Sequence, residues 1–273
     1  MRILSFGGLI VKKSIVVWAI VLLCFVSIVI GHFYWKQKIS KPVAAQADTQ
    51  ENMESNSAQN VNEDIMAYAK NLPETVQKKM KTALKEGRPL NFVIWGSESV
   101  SAAQDGWPEK LKEQLEETYG DSLFNITIFS DSGQTTNTVL NEKLYNKVVE
   151  QKPDLLLFEP FILKDNGVVG IDNTLNNITA ILEQILKANP DVTVMLQPAH
   201  RLYGAVHYPK EVKALQQYAK DHGYIYLNHW ENWPDEEDEQ LKEYVTEDRS
   251  KPSEKGNQAW GEYLIDYFVA EDE

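Results

Sequence analysis

The chain has 273 residues, of which 25% are charged, and its formal net charge at pH 7 is −13. An acidic surface repels phosphate backbones, so nucleic acid is excluded as the expected partner. Cys24 is the only cysteine, which rules out an intrachain disulfide. The length allows one domain of about 200 residues with a sizeable core behind an N-terminal tail.

The first predicted element is a transmembrane anchor at residues 14–35, a segment without Asp, Glu, Lys or Arg. A helix of about 20 apolar residues spans a bilayer core of about 30 Å. A cleaved signal peptide is the alternative, but the only Ala-x-Ala, at 45–47, lies well beyond the apolar run. The basic residues before and after the span are tied in number, so the positive-inside rule does not choose. We expect residues 1–13 in the cytoplasm and the globular part outside it, because long C-terminal domains are commonly translocated regardless of charge.

Two segments connect the anchor to the domain. Residues 36–62 are polar, rich in Ala, Gln, Asn, Ser and acidic side chains, which predicts a flexible tether. Residues 63–89 have apolar side chains at helical spacing, interrupted by Pro73, which predicts a helical lead-in.

A regular alternation of strands and helices fills residues 90–273. The predicted strands are 91–95, 124–129, 154–158, 192–197 and 224–227, and the predicted helices are 107–119, 138–150, 175–188, 209–222 and 256–269. Such alternation predicts an α/β fold, with a five-stranded parallel sheet in a flavodoxin-like three-layer sandwich. Ligands of such sheets bind outside the carboxyl ends of the strands, so the loops that follow the strands are the candidate site.

The C-terminal segment Asp-Arg-Ser-Lys-Pro-Ser-Glu-Lys-Gly, residues 248–256, resembles the last sequence block of the SGNH/GDSL hydrolases. That block reads Asp-x-x-His-Pro, then Asn or Ser, and then Gly; here Asp248 matches and Lys251 occupies the His position. The loop Ser-Gly-Gln-Thr-Thr at 132–136 is similar to the family's second block, whose glycine, here Gly133, donates its N–H to the oxyanion. The resemblance covers about residues 90–270 and implies an SGNH-like fold in a divergent, membrane-anchored member.

The first and third blocks of the family are less well matched. Where the family has Gly-Asp-Ser, the chain has Gly-Ser-Glu-Ser, which puts Ser97 in the Asp position and Glu98 in the nucleophile position. Ser97 or Ser99 is the candidate nucleophile if the loop takes a different path; a turn with helix-capping hydroxyls is the alternative. Asn166 is the candidate third oxyanion donor, although an Asn-Gly turn explains it equally simply.

The sequence offers two candidates for the general base, Lys251 and His229. Lysine has an ordinary pKa of about 10.4, so Lys251 needs deep burial to act as a base, and Asp248 beside it favours the charged form. His229, directly after the fifth strand, is the alternative imidazole, with Asp248 as the orienting carboxylate; a packed histidine beside Trp230 is the structural alternative. Glu159, at the end of the third strand, is a candidate carboxyl of raised pKa.

Two functions are therefore predicted. The resemblance implies an extracytoplasmic hydrolase of acyl esters, on small molecules or on O-acyl groups of cell-envelope polymers, with an atypical or degenerate triad; an acyltransferase would share the site. The alternative is a catalytically inactive domain that binds envelope glycan or a protein through an aromatic pocket. The pocket residues would be Trp95, Tyr203, Trp230 and Trp233.

Other residues of the strand-end loops each have a functional and a structural interpretation. His200 and Arg201 either bind an anionic or sugar-like substrate or are solvated loop residues. The acidic run 235–239 favours a solvated helix start over a calcium site, because its acids are consecutive. We expect no metal or other cofactor, since neither a His/Cys cluster nor a phosphate loop is visible.

Overall fold

The computed structural model describes residues 63–270. The predicted cytoplasmic segment, anchor and tether at 1–62 lie outside the described residues. Among residues 63–270, none of the helices is both long enough and apolar enough to cross a membrane.

The centre of the domain is a parallel five-stranded sheet. Its strands are β1 (Leu90–Gly96), β2 (Phe124–Ser130), β3 (Leu155–Phe158), β4 (Thr193–Leu196) and β5 (Ile225–Tyr226). Their spatial order is β2-β1-β3-β4-β5, and every neighbouring pair is parallel. The predicted α/β fold is confirmed, and each strand overlaps its predicted position.

Helices cover the sheet. They are α1 (Glu74–Glu86), α2 (Trp107–Tyr119), α3 (Thr136–Asn141), α4 (Asn146–Glu150), α5 (Ile162–Asp165), α6 (Ile171–Ala188), α7 (Tyr208–His222) and α8 (Glu254–Phe268). Two 3-10 helices, His229–Asn232 and Glu239–Tyr244, follow β5. The single helix predicted at 138–150 is wrong, because Lys143 takes a left-handed φ of 56° between α3 and α4 and a helix cannot continue through it.

The two faces of the sheet carry separate cores because successive strand residues point to opposite sides. Phe92 packs in the core that contains Trp107 and Trp260, while Trp95 packs in the other, stacked 4.5 Å from Phe158. Each such buried side chain contributes about 1.5–3 kcal/mol to folding. Trp95 is fully buried in this core, so the structure contradicts its predicted place as a lining residue of an aromatic pocket.

The residues that match the last family block build the start of α8. The Ser253 hydroxyl accepts a hydrogen bond from Gly256 N at 3.3 Å and caps the helix. A Cβ on Gly256 would lie 2.1 Å from the Tyr244 carbonyl oxygen, so the chain needs glycine where α8 crosses the second 3-10 helix. Pro252 pairs with Val245 in an isolated bridge. These matches therefore fix the path of the loop that precedes α8.

Candidate active site

The loop after β1 is tied to the end of β3 through Glu159. A Cβ on Gly96 would lie 2.7 Å from Glu159 Cβ, so glycine permits this close approach. Ser97 N donates to Glu159 Oε2 at 2.7 Å, and Phe161 N donates to Oε1 at 3.1 Å. Burial raises the pKa of Glu159 to about 7, against the opposing effect of the Ser97 hydroxyl and N–H. Because Glu159 has no exposed surface, it holds the loops together and does not face a substrate.

A serine and a histidine meet beside this loop. Ser99 Oγ lies 2.9 Å from His200 Nδ1, and His200 Nε2 lies 3.1 Å from the carbonyl oxygen of Arg249. A carbonyl only accepts hydrogen bonds, so in the neutral ring Nε2 carries the proton and Nδ1 accepts from the Ser99 hydroxyl. A serine hydroxyl, an imidazole and an orienting acceptor thus form a continuous chain of hydrogen bonds.

The environment of His200 keeps its ring neutral. Burial lowers the pKa of His200 to about 4, although the Arg249 carbonyl and the charge of Glu98 act in the opposite direction. Near pH 7 the imidazole is therefore unprotonated at Nδ1 and able to take a proton. Ser99 is 1% exposed and His200 has no exposed surface, so a substrate reaches the pair only after the surrounding loops open.

Glu98, in the family's nucleophile position, accepts the hydrogen bond of the N–H that is expected to bind the oxyanion. Gly133 N donates to Glu98 Oε2 at 3.0 Å, and Lys164 forms an ion pair with Oε1. Burial disfavours the charged carboxylate, but the Gly133 N–H and the Lys164 ammonium outweigh it and hold the pKa of Glu98 below its ordinary value. A protein carboxylate therefore sits where the resemblance places the negative charge of a reacting ester.

His229 does not meet a serine in this structure. Its Nε2 lies 3.0 Å from the Pro198 carbonyl oxygen, its Nδ1 makes no hydrogen bond within the described residues, and its ring stacks 3.7 Å from Trp260. Burial lowers the pKa of His229 to about 3, so the ring is neutral. The predicted role as base is corrected, because both ring nitrogens lie in the packed core.

Asp248 and Lys251 lie on the surface. Asp248 accepts hydrogen bonds from Thr246 Oγ1 at 2.6 Å and from Ser250 N at 3.1 Å, and these groups lower the pKa of Asp248 to about 2. Lys251 is exposed, so the burial that a lysine base requires is missing. The predicted roles are corrected in this geometry: Asp248 shapes the turn that brings the Arg249 carbonyl to His200 and does not contact the imidazole.

The remaining predicted residues take the following places. Ser97 is buried, and its hydroxyl accepts from Ser99 N at 3.3 Å, which supports the loop that carries Ser99. Asn166 is not beside Glu98: its amide donates to Glu211 Oε2 at 2.7 Å and links the end of α5 to α7. Gly133 keeps its N–H at the site, with a φ of 73° that favours glycine.

The pairing of Ser99 with His200 is what the sequence did not reveal. His200 follows β4, and the sequence leaves it open between substrate binding and a solvated loop position. Its position in a strand-end loop is the one signal that pointed to the site. The contact joins residues 101 positions apart in the chain, and no residue spacing encodes it.

Comparison with solved structures identifies the fold. A G-D-S-L family protein from Desulfitobacterium hafniense DCB-2 is 16% identical, with a TM-score of 0.52 over 65% of this chain and 98% of that chain. The esterase EstA from Pseudoalteromonas sp. is 17% identical, with a TM-score of 0.50 over 65% and 95% of the two chains. A carbohydrate esterase family 3 structure from Talaromyces cellulolyticus is 14% identical, with a TM-score of 0.52 over 64% and 94%.

These likenesses show that the part of the chain they cover, 65% of it, has the fold of the SGNH/GDSL hydrolases. No family model matches the sequence. No curated protein matches it either. Fold alone does not establish an activity, so the function rests on the residues of the site.

Proposed function

We propose that the domain hydrolyses acyl esters, with Ser99 as nucleophile and His200 as general base. The observation that carries this proposal is the 2.9 Å contact of Ser99 Oγ with His200 Nδ1, in a ring whose other nitrogen faces a carbonyl. The pair lies next to Glu98 and Gly133, at the carboxyl ends of the strands, where ligands of such sheets bind.

The proposed chemistry has two stages. Ser99 Oγ attacks the ester carbonyl as its proton passes to His200 Nδ1, and the alcohol then leaves with that proton. Water then attacks the acyl group on Ser99 as its proton passes to the same nitrogen; the bond between the acyl carbon and Ser99 Oγ breaks, Ser99 Oγ takes the proton back from His200, and the acid is released. Throughout, the Arg249 carbonyl accepts from Nε2–H and keeps the ring in place.

Two features make this a slow enzyme. A carbonyl stabilises the imidazolium less than the carboxylate of a Ser-His-Asp triad does, and the low pKa of His200, about 4, makes it a weak base. The Gly133 N–H is engaged by Glu98, so an ester must displace a charged group before the oxyanion is stabilised.

The test is hydrolysis of short-chain aryl esters by the full-length chain in detergent. We expect Ser99→Ala and His200→Gln to lower kcat/KM by about 100-fold or more, to the buffer rate. Ser101→Ala is the matched control in the same loop. Within residues 63–270 the hydrogen bond of its hydroxyl is the one accepted from Ala103 N, so the variant should retain activity. Equal rates in wild type and Ser99→Ala would refute the proposal.

A second function is favoured by the Glu98 geometry itself. A carboxylate held by Gly133 N and Lys164 fills the oxyanion position with the protein's own charge, which suits a domain that has lost ester hydrolysis and retains binding. Under this alternative the wild type shows no hydrolysis, and removing the Glu98 carboxylate does not produce any.

We further propose that the domain stands outside the cytoplasm on a single N-terminal anchor and acts on small esters or on acylated cell-envelope polymers. The uncharged segment 14–35 and the polar stretch 36–62 support this arrangement. Extraction of membranes at alkaline pH should leave the chain in the pellet, and external protease should remove the domain from intact cells. A chain released by alkali, or protected from protease in intact cells, would contradict it.

A further inference from the structure

A cavity lies beside the loop that follows β4, and Ser99 is not among the residues that line it. Its volume is about 340 Å³, within the range of small-molecule sites. Aromatic side chains from β5 and from the segment after it line the cavity together with charged side chains of both signs, among them Tyr226, Trp230, Trp233, Arg201, Asp235 and Glu236. The candidate active site does not use any of these residues.

Three polar atoms on the lining residues have no hydrogen-bond partner within the described part of the chain. They are Arg201 Nε, Tyr226 Oη and Trp233 Nε1, all buried. Trp233 is only 5% exposed. Buried polar groups are nearly always hydrogen-bonded, so three orphans around one cavity point to a ligand that supplies oxygen acceptors.

The charges of the cavity disfavour an anionic ligand, because three carboxylates, Glu231, Asp235 and Glu236, outnumber the two lining cations, Arg201 and Lys213. Arg201 is paired with Asp235 at 3.0 Å and also with Glu236, so its positive charge is already neutralised. Glu231 adds a further carboxylate to the lining. These carboxylates repel phosphate or carboxylate ligands but accept hydrogen bonds from hydroxyl groups.

We propose that this cavity binds a neutral saccharide. Sugar rings present C–H faces that pack on aromatic rings and hydroxyls that both donate and accept, which matches the part-exposed Tyr226 beside unpaired donors and carboxylate oxygens. Trp230 forms the wall behind Arg201, whose guanidinium lies 5.3 Å from the centre of the indole ring. Arg201 adjoins His200 in the same loop, but the binding requires no hydrolysis and stands independently of the esterase proposal.

Tyr226→Phe tests the site with a matched control. It removes only a hydroxyl that the protein leaves unpaired, so the fold should be as stable or more stable. Tyr208→Phe removes another buried hydroxyl without a hydrogen bond of normal geometry, on a residue that packs against Trp230 but does not line the cavity. If only Tyr226→Phe weakens saccharide binding, the Tyr226 hydroxyl contacts the ligand and the weaker binding does not come from a less stable fold.

The measurement is calorimetric titration of the full-length chain in detergent with cellotetraose and, separately, with tetra-N-acetylchitotetraose. We expect at least one tetrasaccharide to bind, about 2- to 10-fold more weakly to Tyr226→Phe, the effect of one neutral hydrogen bond, with unchanged binding to Tyr208→Phe and Ser99→Ala. Inorganic phosphate should not bind. Failure of both sugars to bind at about 10 mM, or equal weakening by both tyrosine variants, would overturn the proposal.

Discussion

The carboxylate of Glu98 accepts a hydrogen bond from the backbone N–H of Gly133 at 3.0 Å, so the protein supplies its own anion to the expected oxyanion donor. Lys164 completes the arrangement by pairing with the other carboxylate oxygen. This relationship determines how an ester could use the site, and the first prediction follows from it.

Glu98→Ala should raise ester hydrolysis. The substitution frees the Gly133 N–H for an oxyanion, and one such donor is worth about 100- to 1,000-fold in rate in hydrolases. Because opening of the buried Ser99 remains necessary, we expect at least about a 10-fold rise in kcat/KM toward aryl esters. Glu98→Gln should raise kcat/KM by a smaller factor, since the amide oxygen of glutamine still accepts a hydrogen bond from Gly133 N.

The control for this prediction is Glu86→Ala, which removes a surface carboxylate paired with Arg88 and should not change the rate. A Glu98→Ala variant that is no more active than wild type would favour the non-catalytic alternative.

The pH profile should identify His200 as the base. Burial holds the pKa of His200 at about 4, so the ring stays unprotonated until the solution is far more acidic than for an ordinary histidine of pKa about 6.5. We expect kcat/KM to be constant from pH 8 to pH 6 and to fall with a midpoint near pH 4. Rates of Ser99→Ala give the background to subtract. A midpoint near pH 6.5 would assign the base to another group.

Glu159 should make stability fall as pH rises. Its pKa is raised from 4.5 to about 7 in the folded protein, so between these values the folded state holds a proton that the unfolded state has lost. The contribution is full below pH 4.5, is lost as pH rises to about 7, and amounts to about 1–3 kcal/mol. Glu159→Gln cannot titrate. Relative to wild type it should therefore be more destabilised at pH 5 than at pH 8, as measured by urea unfolding.

The comparison with Glu159→Gln is needed because buried histidines act in the opposite direction. The folded pKa values of His200 and His229 are lowered to about 4 and about 3, so both destabilise the protein as pH falls below about 6.5. Wild type and variant share these histidines, and their difference isolates Glu159. A difference that does not change between pH 5 and pH 8 would contradict the assignment.

Gly256→Ala should destabilise the domain by about 2–4 kcal/mol, because the new Cβ would lie 2.1 Å from the Tyr244 carbonyl oxygen and the main chain must shift. Gly261→Ala is the matched control in the same helix. Its nearest neighbour, Lys110 Cδ, would be 3.6 Å away, an ordinary contact. Helix propensity then favours alanine by about 1 kcal/mol. Thermal unfolding of both variants measures the difference, and equal effects would contradict the packing argument.

The fold could be predicted because its signals are local. Apolar runs such as those of β1 and β3 alternate with amphipathic helices, and a chain of that pattern has few ways to bury its apolar side chains. The break between α3 and α4 was missed, since nothing in the residues around Lys143 demands a left-handed turn. That conformation is set by packing of the whole segment on α6.

The candidate site was only partly predictable. The resemblance places Gly133 and Glu98 at the site, because both belong to family blocks that directly follow strands. Ser99 is one of two candidates in the sequence, and its partner His200 is open there between substrate binding and a solvated loop position. The choice among His200, His229 and Lys251 depends on loop paths that fix distances between residues far apart in the chain, and neither spacing nor residue type reports those paths.

The acceptor opposite His200 Nε2 belongs to the main chain at Arg249, and this has a practical consequence. Side-chain replacement at that position leaves the carbonyl itself in place and acts on it only indirectly, through the left-handed φ of 59° at Arg249 and the hydrogen bond from its guanidinium to the Tyr203 carbonyl oxygen. Asp248 shapes this turn through its hydrogen bonds with Thr246 and Ser250. Substitution of Asp248 therefore changes the orientation of the imidazole. The group that aligns the base is thus a main-chain carbonyl, and its position depends on the residues that shape the turn around Arg249.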